Sequence, residues 1–358
     1  MACVVTKSVA GGDQKDMGGR RSGCFFKVSV WLVCVVTSTS AGAQSWSASR
    51  ADSHAPLGVM GDHAHEAGEW MFSFRYMRMT MDGNRDGVDR LDADEVLTRF
   101  PVTPLRMPMN MFMPAVMYAP SDRVTLMGMV SGLGLSMDHR TRTGVHFTTE
   151  TVGIGDVKLS ALVGVAESDR QRWHLNLGVS LPTGQIDERG DTPVSADVQL
   201  PYPMQLGSGT WDLMPGVTWL GQGDRWSWGA QVIGTVRIGT NERDYALGNR
   251  IAATTWGSWL LSDNASVALR LGMDSWGNID GADSVLNPAM APTANPVLRA
   301  GTRLNAGVGL NLYGRGDIVG GHRLALEFLL PVYQHLDGPQ LETDWTVMFG
   351  WQKSFAGR

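Results

Sequence analysis

The sequence predicts an all-β fold, a transmembrane antiparallel β-barrel of about twelve strands, the size range in which bacterial barrels with even strand counts occur. Three observations predict it. The first is long alternation of apolar and polar residues. In 299–313, RAGTRLNAGVGLNLY, the positions Ala300, Thr302, Leu304, Ala306, Val308, Leu310 and Leu312 are mostly apolar, while Gly301, Arg303, Asn305, Gly307, Gly309, Asn311 and Tyr313 are small or polar. A period of two places these sets on opposite faces of a strand, and the run exceeds the ~9–11 residues a tilted strand needs to cross a bilayer. The next segment repeats the pattern, with Leu324, Leu326, Phe328, Leu330 and Val332 set against Arg323, Ala325, Glu327 and Tyr333. The second observation is that short polar turns alternate with long Pro-containing loops, the asymmetry of periplasmic turns and extracellular loops. The third is composition: 358 residues with 18% charged, 44 Gly and 13 Trp have a mean hydropathy of only -0.10, as expected when each strand offsets its own apolar face.

Residues 1–43 read as a signal peptide. Arg20, Arg21 and Lys27 flank or interrupt an apolar run through Phe25, Phe26, Val28, Val30, Trp31 and Leu32, and Ala41-Gly42-Ala43 follows as a small-x-small cleavage site. Met17 is an alternative start. Cys3, Cys24 and Cys34, all the cysteines, lie here, so the remaining chain has no thiol for catalysis, disulfides or thiolate metal sites. Losing five basic and two acidic residues makes that chain more acidic than the overall charge of -5, which argues against nucleic acid as a partner. Residues 44–68, polar, Gly/Ala-rich and carrying His54, Met60, His63 and His65, lack alternation and read as a periplasmic or plug segment.

The barrel is expected over 69–355. Its first strand, 69–81, turns Trp70, Phe72, Phe74 and Tyr76 to lipid and Met71, Ser73, Arg75, Met77, Met79 and Met81 inward. After a long loop, 82–106, come strands at 107–119 and 123–137, joined by Pro120-Ser121-Asp122, then 151–166 and 172–182. A second long loop, 183–206, precedes strands at 207–220 and 225–240, with Trp219, Trp226 and Trp228 crowded at their turn as girdle residues. Strands at 248–261 and 265–276, a third long loop at 277–298, the pair described first, and a final strand at 342–355 complete the count. The alternating aromatics ending at Phe355 resemble the signal by which such barrels engage their assembly machinery.

Three segments carry a family resemblance: Val152-Gly153-Ile154-Gly155-Asp156-Val157, Ser180-Leu181-Pro182-Thr183-Gly184 and Leu206-Gly207-Ser208-Gly209-Thr210-Trp211-Asp212. They resemble the outer-membrane barrel family associated with the MetA pathway of phenol degradation, in which G-x-G-D, L-P-T-G and G-x-G-x-x-D mark successive strands. The Met-rich opening, G-x-M-G-D-H-x-H followed by Y-M-x-M-x-M, is similar to a Met/His-rich subgroup. The resemblance implies an outer-membrane channel and does not fix the solute.

Methionine is the strongest anomaly. Most of the 20 Met residues lie between Met60 and Met137, and Met77, Met79, Met81, Met107, Met109, Met111, Met113, Met117, Met127 and Met129 are all odd-numbered across three consecutive strands. On one lumen face they would form a thioether wall. Thioethers select soft ions such as Cu(I), with Met60 a further candidate, and His63 and His65 could bind Cu(II) or Zn(II) at the entrance; against this, methionine is an adaptable apolar residue that packs a plug or faces lipid. Copper is thus one candidate ion. Calcium is the other, because Asp82-Gly83-Asn84-Arg85-Asp86-Gly87 matches the first half of a calcium loop, with Asp82, Asn84 and Asp86 as oxygen ligands, although Ala93 stands where the bidentate Glu belongs. Arg75, Arg123, Arg237, Arg270, Arg303, Arg323 and Glu327 are expected to line a wet lumen. His174 and Ser180 share a strand face, but six residues of strand separate them by roughly 20 Å, too far for a nucleophile and its base.

These readings predict an outer-membrane channel of a Gram-negative bacterium, not an enzyme. Its partners are outer-membrane lipid, the barrel-assembly machinery, and a small aromatic or hydrophobic solute or a soft metal ion. The alternatives are a non-conducting copper-binding or structural barrel and, further off, an outer-membrane lipid enzyme.

Overall fold

The computed structural model describes residues 46–316 and 318–355. The expected signal peptide lies outside them. In chain order the elements are β1 (Trp70–Gly87), β2 (Asp89–Leu91), α1 (Ala93–Arg99), β3 (Val102–Ser121), β4 (Val124–Met129), β5 (Gly132–Thr141), β6 (His146–Ile154), β7 (Val157–Ser168) and β8 (Gln171–Leu181). There follow β9 (Arg189–Thr192), β10 (Ser195–Gln199), β11 (Trp211–Gln222), β12 (Trp226–Ile238), β13 (Tyr245–Ala246), β14 (Arg250–Ser262), β15 (Ala265–Trp276), β16 (Asp280–Gly281), β17 (Gly301–Tyr313) and β18 (His322–Phe355).

Eleven of these close a ring in the order β1-β18-β17-β15-β14-β12-β11-β8-β7-β4-β3, with β3 pairing back onto β1. Every pairing is antiparallel, and because β3 pairs back onto β1 no edge is left along this circuit, the condition for crossing a bilayer with strands. The 34-residue β18 makes two passes. Its first arm pairs with β17 as far as Leu336 and its second pairs with β1 from Gln340 to Phe355. The arms lie side by side, since Trp351 Nε1 donates to His322 Nδ1 at 3.1 Å and Lys353 Nζ to Gly320 O at 2.8 Å. Counting both arms, the ring has twelve passes, in the order the alternation predicts.

The faces also follow the period. Leu304, Val308, Leu310, Leu312, Leu324, Leu326, Phe328 and Leu330 are exposed on the outside, while Arg323, Ala325, Glu327 and Leu329 are buried. One assignment changes. A β-bulge at Val332, where Leu304 faces Tyr333 but Asn305 faces Pro331, inserts one residue and leaves both Val332 and Tyr333 exposed, so Tyr333 leaves the inner set. Aromatics collect toward the short-turn end: Trp173 stacks on Trp219 at 5.6 Å, Trp226 meets Trp228 at 4.4 Å and Trp70 meets Tyr118 at 4.4 Å.

The expected loop 82–106 is mostly regular structure. β1 runs on to Gly87, α1 starts from a capping box in which Asp92 and Glu95 satisfy each other's backbone, and β3 begins at Val102. This overturns the calcium-loop expectation. The strand is bulged between Met81 and Asn84 and again after Arg85, which leaves Asp82 exposed and Asn84 buried instead of wrapping the three around a centre. Their partners diverge accordingly: Asn84 donates to Pro104 O at 2.8 Å, Asp86 pairs with Arg99 at 3.0 Å, and Asp82 lies 3.9 Å from Arg106.

Candidate functional site: the occupied lumen

Residues 46–68 lie inside the ring as a loop with two legs. The first leg starts at the short-turn end, where Ser47 N donates to Gln222 Oε1 at 2.9 Å and Arg50 donates to Gly223 O at 2.6 Å. It climbs past Ala51, whose carbonyl accepts from Ser266 Oγ and Arg323 Nη1, both at 2.9 Å. The tip is at Gly58. The second leg descends through Gly61, whose carbonyl accepts from His174 Nε2 and Asn176 Nδ2 at 2.9 Å each, and returns to the short-turn end with His65 N on Thr125 Oγ1 at 2.9 Å and Ala67 N on Asp122 at 2.8 Å. Irregular backbone at membrane depth is tolerated where it is buried in protein groups that satisfy its carbonyls and amides, as these do.

The tip is fixed by a buried ion pair. Glu327, wholly buried, accepts from Arg270 Nε at 2.6 Å and from Gly58 N at 2.6 Å. A Cβ on Gly58 would meet Arg270 Nη2 at 2.4 Å, so a side chain here must displace the guanidinium that holds Glu327. The other expected lumen residues are likewise engaged instead of lining open water: Arg75 is buried and donates to Met60 Sδ, Arg323 binds the Arg50 and Ala51 carbonyls and Ser53 Oγ, Arg303 pairs with Asp274, and Arg237 pairs with Asp212. Arg123 is a correction. It sits exposed in the turn between β3 and β4, where the chain reverses and the alternation lapses.

The methionines do share the inner face. Directly opposite pairs across β1 and β3 are Met71–Met117, Met77–Met111, Met79–Met109 and Met81–Met107, and β4 adds Met127 opposite Met117 and Met129 opposite Ala115. Seven of these ten pack in three tiers with apolar partners: Met71, Met117 and Met127 with Leu162; Met77, alongside Met348, with Leu57, Ala325 and Leu329; Met81, Met107 and Met109, alongside Met137, with Leu135, Leu200, Met204 and Leu206. Leu200, Met204 and Leu206 belong to the long connection between β8 and β11, which fills the opposite end of the lumen. Met60 lies with Arg75, so His63, His65 and the wall do not form one expected ligand set.

The histidines gather within the inserted loop, His63 and His65 buried and His54 half-buried. His54 and His63 have ring centroids 3.8 Å apart, and His63 and His65 5.0 Å. His63 Nδ1 donates to Asp62 Oδ1 at 2.9 Å and His65 Nδ1 to Glu69 Oε2 at 3.2 Å. Both Nε2 atoms are buried without a hydrogen-bond partner, each a deficit of roughly 1–3 kcal/mol if nothing fills it. Burial, then Arg323, holds His54 well below the usual imidazole range, and burial outweighs Asp62 to lower His63. Burial alone would raise Asp62, but the charge and hydrogen bond of His63, the Ala55 amide and Arg75 bring it down to about 2.

The three glycine motifs, far apart in sequence, meet in the wall. The β4–β5 and β6–β7 passes both break at one level, at 130–131 and 155–156. There the Asp156 carboxylate accepts from Gly184 N at 3.0 Å, Ser208 N at 2.9 Å and Ser208 Oγ at 2.8 Å, while Thr183 Oγ1 bonds Val157 N at 2.9 Å. Gly184 and Gly207 touch backbone to backbone, a Cβ on Gly184 falling 2.7 Å from Gly207 Cα. Above this clasp β6 pairs with β5 on one side only and is the edge of the main sheet. In the sequence the three motifs only mark successive strands; their convergence on Asp156 was not readable from spacing.

A closed antiparallel ring, apolar outside and polar within, defines a transmembrane β-barrel of the outer-membrane type. The chain belongs to the family described as "Putative MetA-pathway of phenol degradation", whose model matches residues 121–312. That span includes all three segments of the clasp. Among solved structures, the chain is similar to the COG4313 outer membrane channel from Pseudomonas putida F1, with a TM-score of 0.57 and 14% identity over 84% of this chain and 100% of that one. Looser likenesses are to the translocator domain of the autotransporter NalP from Neisseria meningitidis (TM-score 0.43, 11% identity, 82% of this chain and 91% of that one) and to a Pseudomonas aeruginosa FadL homologue (TM-score 0.36, 9% identity, 81% and 90%). A search of curated proteins finds no match.

Proposed function

We propose that the protein is an outer-membrane channel of a Gram-negative bacterium for small hydrophobic or aromatic solutes, closed in this state by the loop 46–68. The observation that carries this reading is the one-sided methionine wall. Three thioether and aliphatic tiers line β1, β3 and β4 on the inner face, while elsewhere the inner face is mostly polar apart from Leu220 and Trp256, which pack on Ala55 and Val59 of the loop. Such a strip offers an apolar, deformable path, and the opposite wall keeps the interior hydrated enough to hold polar groups. The family's link to phenol degradation supports the aromatic class. The break at Asp156, with the β6 edge above it, supports entry of an apolar solute sideways from the lipid. A hydrolytic dyad is disfavoured by position: His174 is bonded to Gly61 O, while Ser180 stands opposite Asp212.

The test is uptake in a deletion strain complemented with this chain, using a panel of radiolabelled phenols, alkylbenzenes and hydrophilic sugars of similar size. Faster uptake of the apolar members, with the protein in the outer-membrane fraction, supports the reading. Equal or preferential passage of the sugars, or recovery in the soluble periplasm, rejects it.

A further inference from the structure

We propose that the inserted loop holds a transition-metal site, formed by the imidazoles of His54, His63 and His65 and suited to Cu(II) or Zn(II), which ties its two legs together. The donor chemistry is specific. Imidazole nitrogen is a preferred ligand of both ions, and a metal-bound histidine ordinarily gives its other ring N–H to a carboxylate. That arrangement occurs twice here: Asp62 orients His63 and Glu69 orients His65 through Nδ1, leaving two Nε2 atoms that are buried and unpartnered. His63 and His65 are each only 7% exposed.

The third ligand comes from the other leg. The group whose ligand atoms all lie within 4.8 Å of one another is His54, Asp62 and His63, and His65 stands beside it with its ring 5.0 Å from that of His63. His54 Nδ1 is 2.7 Å from the Gln352 amide; rotating that amide to present oxygen makes Nδ1 the donor and frees Nε2 as a lone pair. A small cavity lined by His54, Asp62, Arg75, Arg323 and Gln352 adjoins the cluster. The two guanidiniums oppose a dication. Asp62 and Glu69 offset them, and Arg323 is turned toward the Arg50 and Ala51 carbonyls and Ser53.

An ion here would be a structural staple of the loop and not the channel's solute; the site depends on neither the channel reading nor the methionine wall. The test uses full-length protein in detergent, stripped with chelator, then given CuCl2 or ZnCl2 both after folding and during refolding, so that slow entry cannot mask binding. Bound metal is counted by mass spectrometry, and Cu(II) is examined by electron paramagnetic resonance. The expected result is one ion per chain with nitrogen coupling from at least two imidazoles. His63→Gln with His65→Gln should abolish stoichiometric binding, Asp62→Asn should weaken it about 10–100-fold, and His146→Gln with His335→Gln, outside the loop, should leave it unchanged. Heat-modifiable gel migration verifies that each variant is a folded barrel. No stoichiometric ion, binding that survives the double histidine change, or binding lost only when Met77, Met79, Met109 and Met111 become Leu, would overturn the proposal.

Discussion

Gly58 and Glu327, separated by 269 residues, are joined by a 2.6 Å hydrogen bond from the Gly58 amide to the carboxylate, and Arg270 holds the same carboxylate from the other side. This contact pins the tip of the inserted loop to the wall made by β15 and β18. Removing the acid would leave Arg270 as an uncompensated buried charge, a loss on the order of 3–5 kcal/mol.

Glu327→Gln is therefore expected to free the tip while the ring, held by its backbone ladder, still assembles. In planar bilayers the variant should spend more time in open levels than the parent, and its folded band on an unheated gel should disappear at a lower temperature. Unchanged gating and unchanged melting would mean the tip contact does not hold the loop.

A substitution at the tip tests the same closure sterically. Gly58→Val would drive two methyl groups into the space of Arg270 and Glu327, so the loop should be displaced and a cysteine placed at Ser53 should react with a water-soluble maleimide at least tenfold faster. If labelling of the valine variant matches that of the glycine parent, the close approach is not needed to seat the loop.

The clasp should govern the long connection between β8 and β11. Asp156→Asn weakens charge-assisted bonds to Gly184 and Ser208, each worth about 1.5–3 kcal/mol. Gly184→Ala forces two backbones apart at a strain of roughly 1–3 kcal/mol. Both should speed proteolysis within 182–210 in intact cells and alter uptake of apolar solutes more than that of ions. Proteolysis at the parent's rate in both variants would refute a clasp role.

The thioether wall separates two chemistries. Replacing Met77, Met79, Met109 and Met111 by Leu keeps volume and apolarity, each change worth less than about 1.5 kcal/mol, but deletes sulfur. Uptake of aromatic solutes should stay within about twofold of the parent and copper tolerance should not change. Loss of Cu(I) binding and copper tolerance, with normal assembly, would instead make sulfur the working atom.

The strands were legible because each crosses from lipid to lumen at every residue, so Leu324, Leu326 and Phe328 announce one face and Arg323 and Glu327 the other. The inner face of the methionines was legible for the same reason, and the register pairs Met77–Met111 and Met79–Met109 follow from it. Alternation fails where the chain bulges, as at Val332, and where it turns, as at Arg123. The pattern Asp82-Asn84-Asp86 misled because a two-residue period serves a strand as well as a calcium loop, and only the partners of Asn84 decide between them. Nothing local could place His54 beside His63, or Asp156 beside Ser208, since those meetings depend on how the loop reverses and how the ring closes.

That reversal has a topological consequence. Both legs of the inserted segment, at Ser47 and Ala67, meet the barrel at the same end, so the described chain enters the ring as a stopper enters a bottle and not as a thread passes through a needle. It can be withdrawn whole, with no strand unpaired and no chain end drawn through the pore. Withdrawing that loop clears the short-turn end by breaking the contacts of one short segment, and a pulling force applied from that side alone would suffice, while the connection through Leu200, Met204 and Leu206 still occupies the other end.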